Sequence, residues 1–408
     1  SLSFSNIFPL LNLLNLSGRQ FYKPKNFPSC MAKKESGKLS RNIIIFILIN
    51  AILGSSLFYL PSLGMISAGP ASLIAWAVIF VIAYLVMLYY AELITLFPSS
   101  GGTYNFVKQS YGRFIAFMAG WLIWLAGNLG MALNVVAAAE YSFPSTAQTT
   151  FIIRGVFVLA FIFIFNYIAL RGIDAGAKIL VGFGVASLTF VALIVIPTFI
   201  DIPALFQGTF SVPFNVQQMQ PFYINAGLLP ILGQLGLALF LITEAFFGFD
   251  ILAYMGGDIK DKKSIPKAMK IALGFSAVIM LLFVLSSMGI IHFEDYITTS
   301  RPYVDHVLIT LGAWAKPLAI LFMNLAILGT AAGWPIVGSR LIQALSADGL
   351  FIKKYAELHP KTKMPTRAIW WQTIITVLFA AVIFWGYMAN WKNPYKIVYL
   401  IYVLSSLI

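Results

Sequence analysis

Ten apolar runs, nine of them 20 residues or longer, dominate the chain. They lie at 42–66, 69–96, 113–141, 150–170, 177–200, 227–257, 268–291, 313–345, 367–389 and 394–408. About 20 apolar residues wound as a helix cross the ~30 Å hydrocarbon layer of a membrane, whereas barrel strands need only about ten. The pattern therefore predicts an all-α integral membrane protein. Composition agrees, with 60% hydrophobic and only 10% charged residues, against roughly 25% charged in a soluble domain. The last run stops at Ile408 without a polar flank, so the chain is expected to end inside its tenth helix.

The net charge of +13 raises nucleic acid as a partner, but its distribution argues against that. With the N-terminus cytoplasmic, 22 of the 27 Lys and Arg fall before the first run or in loops on the same side. Only Arg154, Arg301, Lys316, Lys392 and Lys396 fall on the other. This is the positive-inside pattern, so the expected partner is the lipid bilayer. A single cysteine, Cys30, excludes an internal disulfide framework, and three scattered histidines suggest no metal site. Residues 1–41 form a cytoplasmic N-terminal segment; Met31 reads as a start, which would leave residues 1–30 non-native, or they form a short interfacial stretch.

Two of the runs contain breaks. Leu53-Gly-Ser-Ser56 interrupts the first, and Ile242-Thr-Glu-Ala-Phe-Phe-Gly-Phe-Asp250 interrupts the sixth. Interrupted backbone at membrane depth is tolerated only inside protein or along a cavity. An odd number of spans per half, with a break in the first span of each, is the geometry of an inverted repeat whose site lies between two discontinuous helices. The expected domain is a single transmembrane unit, 42–408, with repeat one at 42–200 and repeat two at 227–408.

Further motifs carry a family resemblance. Glu92 with Phe97-Pro-Ser-Ser-Gly-Gly-Thr-Tyr104, Tyr111-Gly-Arg, and Gly120-Trp121 come first. Phe246-Phe-Gly-Phe-Asp250, Asp258-Ile-Lys260 and Ser264-Ile-Pro-Lys-Ala268 follow. Ser339-Arg340, Ala347-Asp-Gly349 and Leu358-His-Pro360 through Met364-Pro-Thr-Arg367 complete the series. In this order and spacing the chain resembles the amino acid permeases of the amino acid–polyamine–organocation superfamily. The resemblance covers about residues 42–408. It implies the five-plus-five inverted-repeat fold with broken helices 1 and 6, secondary transport of an amino acid by alternating access, and a plasma membrane location. The alternative within the same fold is a polyamine or cationic amino acid exchanger.

At the first break, Gly54, Ser55 and Ser56 are expected to offer backbone N–H groups to a substrate carboxylate at the positive end of a half-helix. Relatives usually have a second glycine where Ser56 stands. Close packing of small residues is the competing explanation for this stretch. In the sixth span, carbonyls around Ala245, Phe246, Phe247 and Gly248 would accept from the ammonium group, with Phe249 closing over the ligand. Asn50 would hold the substrate or the unwound segment.

Glu244 is expensive at membrane depth and should face a cavity or a partner. It would bind a proton, pair with a cationic substrate side chain, or serve as a hydrogen-bonded structural carboxyl. The coupling ion is accordingly H+ or Na+. Proton-coupled relatives can carry a lysine in the fifth helix near Ser187, and none is present there. Thr330 is the candidate hydroxyl for an Na+ pocket, or else it bonds its own helix. Arg340 is expected in an inner gate or a charge network. Asn128, Asn134 and Asn324 are expected to bond between helices. No phosphate-binding loop and no cluster of His, Asp or Cys at depth suggests an ATP-driven pump or an enzyme, and no cofactor is expected. The sequence leaves the oligomeric state open.

Overall fold

The computed structural model describes residues 39–97, 101–144, 148–207, 211–224, 227–299, 301–389 and 398–402. Residues 1–38, part of the loop after the second span, and the end of the tenth run lie outside the described residues. Helices dominate what is described, as they must where lipid offers the backbone no hydrogen-bond partner.

The first span is two helices, α1 (Arg41–Leu53) and α2 (Ser56–Ala68), and α3 (Ser72–Leu96) is the second. The apolar stretch Tyr59–Leu96 is not one rod. Gly69 has φ +58°, a conformation L side chains avoid, and the chain reverses there. The Trp76 indole nitrogen consequently lies 3.3 Å from the position a Cβ on Gly64 would take.

A short helix α4 (Thr103–Tyr111) leads into α5 (Arg113–Ser142), α6 (Gln148–Leu170) and α7 (Ile173–Phe199). The loop that follows contains α8 (Ile202–Phe206) and packs against the α2–α3 turn, where the Ala71 N–H donates to the Phe222 carbonyl at 3.0 Å. The sixth span is α9 (Leu228–Leu241), a 3₁₀ stretch Thr243–Asp250 and α10 (Ile251–Met255). Next come α11 (Ile265–Ile290), two short helices α12 (Phe293–Thr298) and α13 (Pro302–Leu311), α14 (Lys316–Ala347) and α15 (Thr366–Met388). Residues 398–402 are helical and belong to the tenth run.

Two groups of helices result. α5 packs on α14, α15 and α6, while α1 packs on α11, and α2 and α3 on α9; α7 touches both α1 and α14. The small or β-branched buried residues Ala132 and Val135 to Ala139 in α5 let backbones approach closely. One end of the bundle is basic. There the Leu39 N–H donates to the Asp258 carbonyl, Lys108 pairs with Asp348 at 2.5 Å, and Arg113 donates to the Asp348 carbonyl at 2.6 Å. The first span starts at this end and the sixth at the other, so the two broken helices enter from opposite sides.

Among the described residues of the loop after the second span, α4 forms a helix under the bundle. Tyr104 is fully buried, and burial together with its bond to Asp348 pushes its phenol well above the usual range. Gly102, at φ +56°, is the one residue type that fits both that backbone and the Tyr254 ring, which lies 2.2 Å from a Cβ placed there.

Candidate functional site

The first break is confined to Gly54, which leaves helical geometry at φ −14°, ψ −108°. Its N–H still donates to the Asn50 carbonyl at 3.0 Å, closing α1. The next amide, of Ser55, donates to Thr330 Oγ1 at 2.8 Å, and Asn50 Nδ2 donates to the Gly329 carbonyl at 3.0 Å. Thus α14 clamps the break from both sides. Gly54 must lack a side chain here, because a Cβ would sit 1.8 Å from Thr330 Oγ1. Ser56 begins α2, where first-turn amides lack carbonyls of their own helix; Ser55 and Ser56 are both 8% exposed.

The sixth span differs from the unwound loop expected from sequence. After Ile242 the chain tightens into 3₁₀ turns, starting with the Ala245 N–H donating to the Ile242 carbonyl at 3.0 Å. Three residues per turn divide this stretch into three faces. Phe246 and Phe249 share one face and pack edge-on against α3: Phe246 on Trp76 and Phe80 at 6.0 and 5.9 Å, Phe249 on Tyr90 at 5.5 Å. Ala245 and Gly248 form the second face. A Cβ on Gly248 would lie 2.2 Å from the Ala51 carbonyl oxygen, so the 3₁₀ stretch crosses the last turn of α1 in direct contact, just before the break at Gly54. Glu244, Phe247 and Asp250 form the third face, and all three are half-buried although their neighbours Ala245, Phe246 and Phe249 are fully buried.

The residues singled out from sequence therefore separate. Asn50, Gly54, Ser55, Ala245 and Gly248 gather where the breaks cross. Phe246 and Phe249 turn away into an aromatic layer with α3, and Phe247 stays on the half-buried face. Ser187 is fully buried and donates to the carbonyl of Phe183 on its own helix, at 3.0 Å. Thr330 instead accepts from Ser55. Arg340 lies at the basic end, donating to the Tyr254 carbonyl at 2.9 Å and pairing with Asp258 at 2.5 Å. Asn128 accepts from Thr376 of α15 at 3.0 Å, a bond between helices; Asn324 donates to Ile320 of its own helix at 2.8 Å.

Glu244 brings in residues that the sequence reading missed. Its Oε1 accepts from Tyr59 Oη at 3.0 Å and from Tyr399 Oη at 3.4 Å, and the Tyr402 phenol bonds it as well. The three tyrosines come from α2 and from 398–402. Only the three-residue spacing of Tyr399 and Tyr402 hinted that they share a face.

Two discontinuous helices that enter from opposite sides and cross at their breaks define a membrane transporter rather than an enzyme. The chain belongs to the amino acid permease family, whose model matches residues 40–408, within the amino acid–polyamine–organocation superfamily. Its activity is amino acid transport across a membrane. It is similar to an arginine/ornithine antiporter of Lactococcus lactis subsp. cremoris, with 23% identity over 90% of this chain and 76% of that protein. A branched-chain amino acid permease of Bacillus subtilis is 24% identical over 82% of this chain and 72% of its own length. An arginine/agmatine antiporter of Chlamydia pneumoniae is 25% identical over 83% and 70% respectively.

Proposed function

We propose that the protein carries its amino acid by alternating access, with the zwitterion held where the two breaks cross. The observation that carries this reading is the contact of Gly248 with the Ala51 carbonyl, beside the clamped amide of Ser55. At that crossing the N-terminal end of α2 suits a carboxylate, and carbonyls at the end of α9 suit an ammonium group. A small relative tilt of α1–α2 and α9–α10 against α5 and α14 would open the crossing to one side at a time.

The basic end faces the cytoplasm in this reading, because Lys and Arg concentrate there, and the membrane is the plasma membrane. The Arg340–Asp258 pair and the pairing of Leu39 with residues 258–260 close that side. A second reading, exchange of cationic amino acids or amines, is favoured by Glu244 on the half-buried face and by the arginine antiporters among the relatives.

Reconstitution of the full chain in proteoliposomes tests both. Saturable uptake stimulated by amino acid on the opposite side supports a carrier, whereas flux that is linear and insensitive to internal substrate refutes one. Repeating uptake at several pH values with and without Na+ reads the coupling: Na+ dependence points to a cation beside Thr330 and Ser187, and pH dependence to a proton on Glu244.

A further inference from the structure

Glu244 lies within a shell that its role as a helix residue does not require. Tyr59 of α2 donates to it at 3.0 Å, Tyr399 shares its proton between Glu244 at 3.4 Å and the Leu241 carbonyl at 3.3 Å, and Tyr402 completes the set. The rings of Tyr59 and Tyr399 meet edge to face at 5.0 Å. Tyr402 closes the wall against α5, where a Cβ on Gly130 would stand 2.8 Å from its ring. Among the described residues, Glu244 has no Lys, Arg or His within ion-pair distance. The residue is half-buried rather than sealed off.

We propose that Glu244, Tyr59, Tyr399 and Tyr402 form the subsite that receives the positively charged side chain of a cationic amino acid. This rests on the carrier reading above and names its substrate class. Neutral phenol donors satisfy the lone pairs of a carboxylate but leave its charge unbalanced in a site of low dielectric. An ammonium or guanidinium group supplies the missing charge, and the surrounding aromatic faces attract the same cation.

Position agrees with this chemistry. Tyr59 stands four residues after Ser55, a rise of about 6 Å along α2. An extended lysine, ornithine or arginine side chain bridges that interval when its carboxylate sits at the break. Entry of the cation would exchange phenol–carboxylate bonds for an ion pair. Because those bonds join α2, the sixth span and the tenth, it would also loosen the closure opposite the basic end.

The test uses the full chain in proteoliposomes, with lysine, Nε-acetyl-lysine and leucine competing for uptake of labelled lysine. Acetylation removes the charge but also adds an acetyl group, so the charge effect is read from how far the preference depends on Glu244 rather than from wild type alone. Wild type should prefer lysine over Nε-acetyl-lysine by about tenfold or more, the scale of one charged hydrogen-bonded contact. In Glu244→Gln that preference should fall to about twofold, and Tyr402→Phe should lie between the two. Equal competition by lysine and Nε-acetyl-lysine in wild type overturns the subsite, and needs no variant to fold. A charge preference that survives Glu244→Gln overturns it too. Counterflow of leucine without any charge preference would sink the subsite while leaving the carrier intact; no counterflow with any amino acid would sink both.

Discussion

Thr330→Val removes one oxygen at nearly constant shape, and that oxygen accepts the Ser55 amide at 2.8 Å. Ser55 is 8% exposed, so water reaches the orphaned N–H poorly. A buried donor left without an acceptor costs about 1–3 kcal/mol. At ~1.4 kcal/mol per decade, this shifts the equilibrium away from the clamped state by about five- to 150-fold. Thr330→Ser keeps the oxygen and loses one methyl, about 0.8 kcal/mol. Gly54→Ala attacks the same contact from the other side, since its methyl would lie 1.8 Å from Thr330 Oγ1. The double variant Gly54→Ala/Thr330→Val should therefore cost less than the sum of its parts by about 1 kcal/mol. Unfolding in mixed micelles titrated with SDS reads the free energies, and the maximal rate of lysine counterflow reads the function. Equal effects of Val and Ser, or strict additivity of the pair, would show that the clamp does not hold the break.

Gly248→Ala sets a methyl 2.2 Å from backbone that cannot rotate aside. It should abolish most counterflow while the protein still reaches the membrane, as checked by uptake normalised to protein in the vesicle. Asp258→Asn leaves the 8%-exposed Arg340 without its counter-charge, a loss of about 3 kcal/mol for a buried pair. In a Cys30→Ser background, labelling of Ala51→Cys by a membrane-impermeant thiol reagent applied from the basic end should then speed up. His306, on α13 outside the spans, is fully buried with Nε2 2.9 Å from Thr198 Oγ1 and 3.2 Å from the Ile194 carbonyl. Burial holds its imidazole down at about 4, against an ordinary 6.5. Between these values the unfolded chain binds more protons, so stability falls as pH drops from 6.5 towards 4, by about 3 kcal/mol in full. Melting temperature against pH should show this slope in wild type, and His306→Gln should flatten it.

Much of the architecture was legible locally. Whether a run crosses hydrocarbon depends on its own length and polarity, so the spans could be placed from residues alone. Gly54 likewise marked its break, because a glycine followed by two serines weakens a helix wherever it sits. The sixth span was legible only as interrupted. Its 3₁₀ register, which sends Phe246 and Phe249 to α3 and Gly248 to Ala51, depends on what packs on each side.

The sequence by itself determined a membrane-spanning helical bundle with two interrupted helices in opposed halves, since hydrophobic transfer and backbone satisfaction act residue by residue. Tertiary structure alone decided which polar groups meet. Thr330 reaches the amide of Ser55 across 275 positions of chain, and Tyr59 reaches Glu244 across 185. Nothing in the local pattern favours one hydroxyl over another as the partner of a given amide or carboxylate. A hydrogen bond needs its atoms within about 3 Å, and only the packing of whole helices brings them that close.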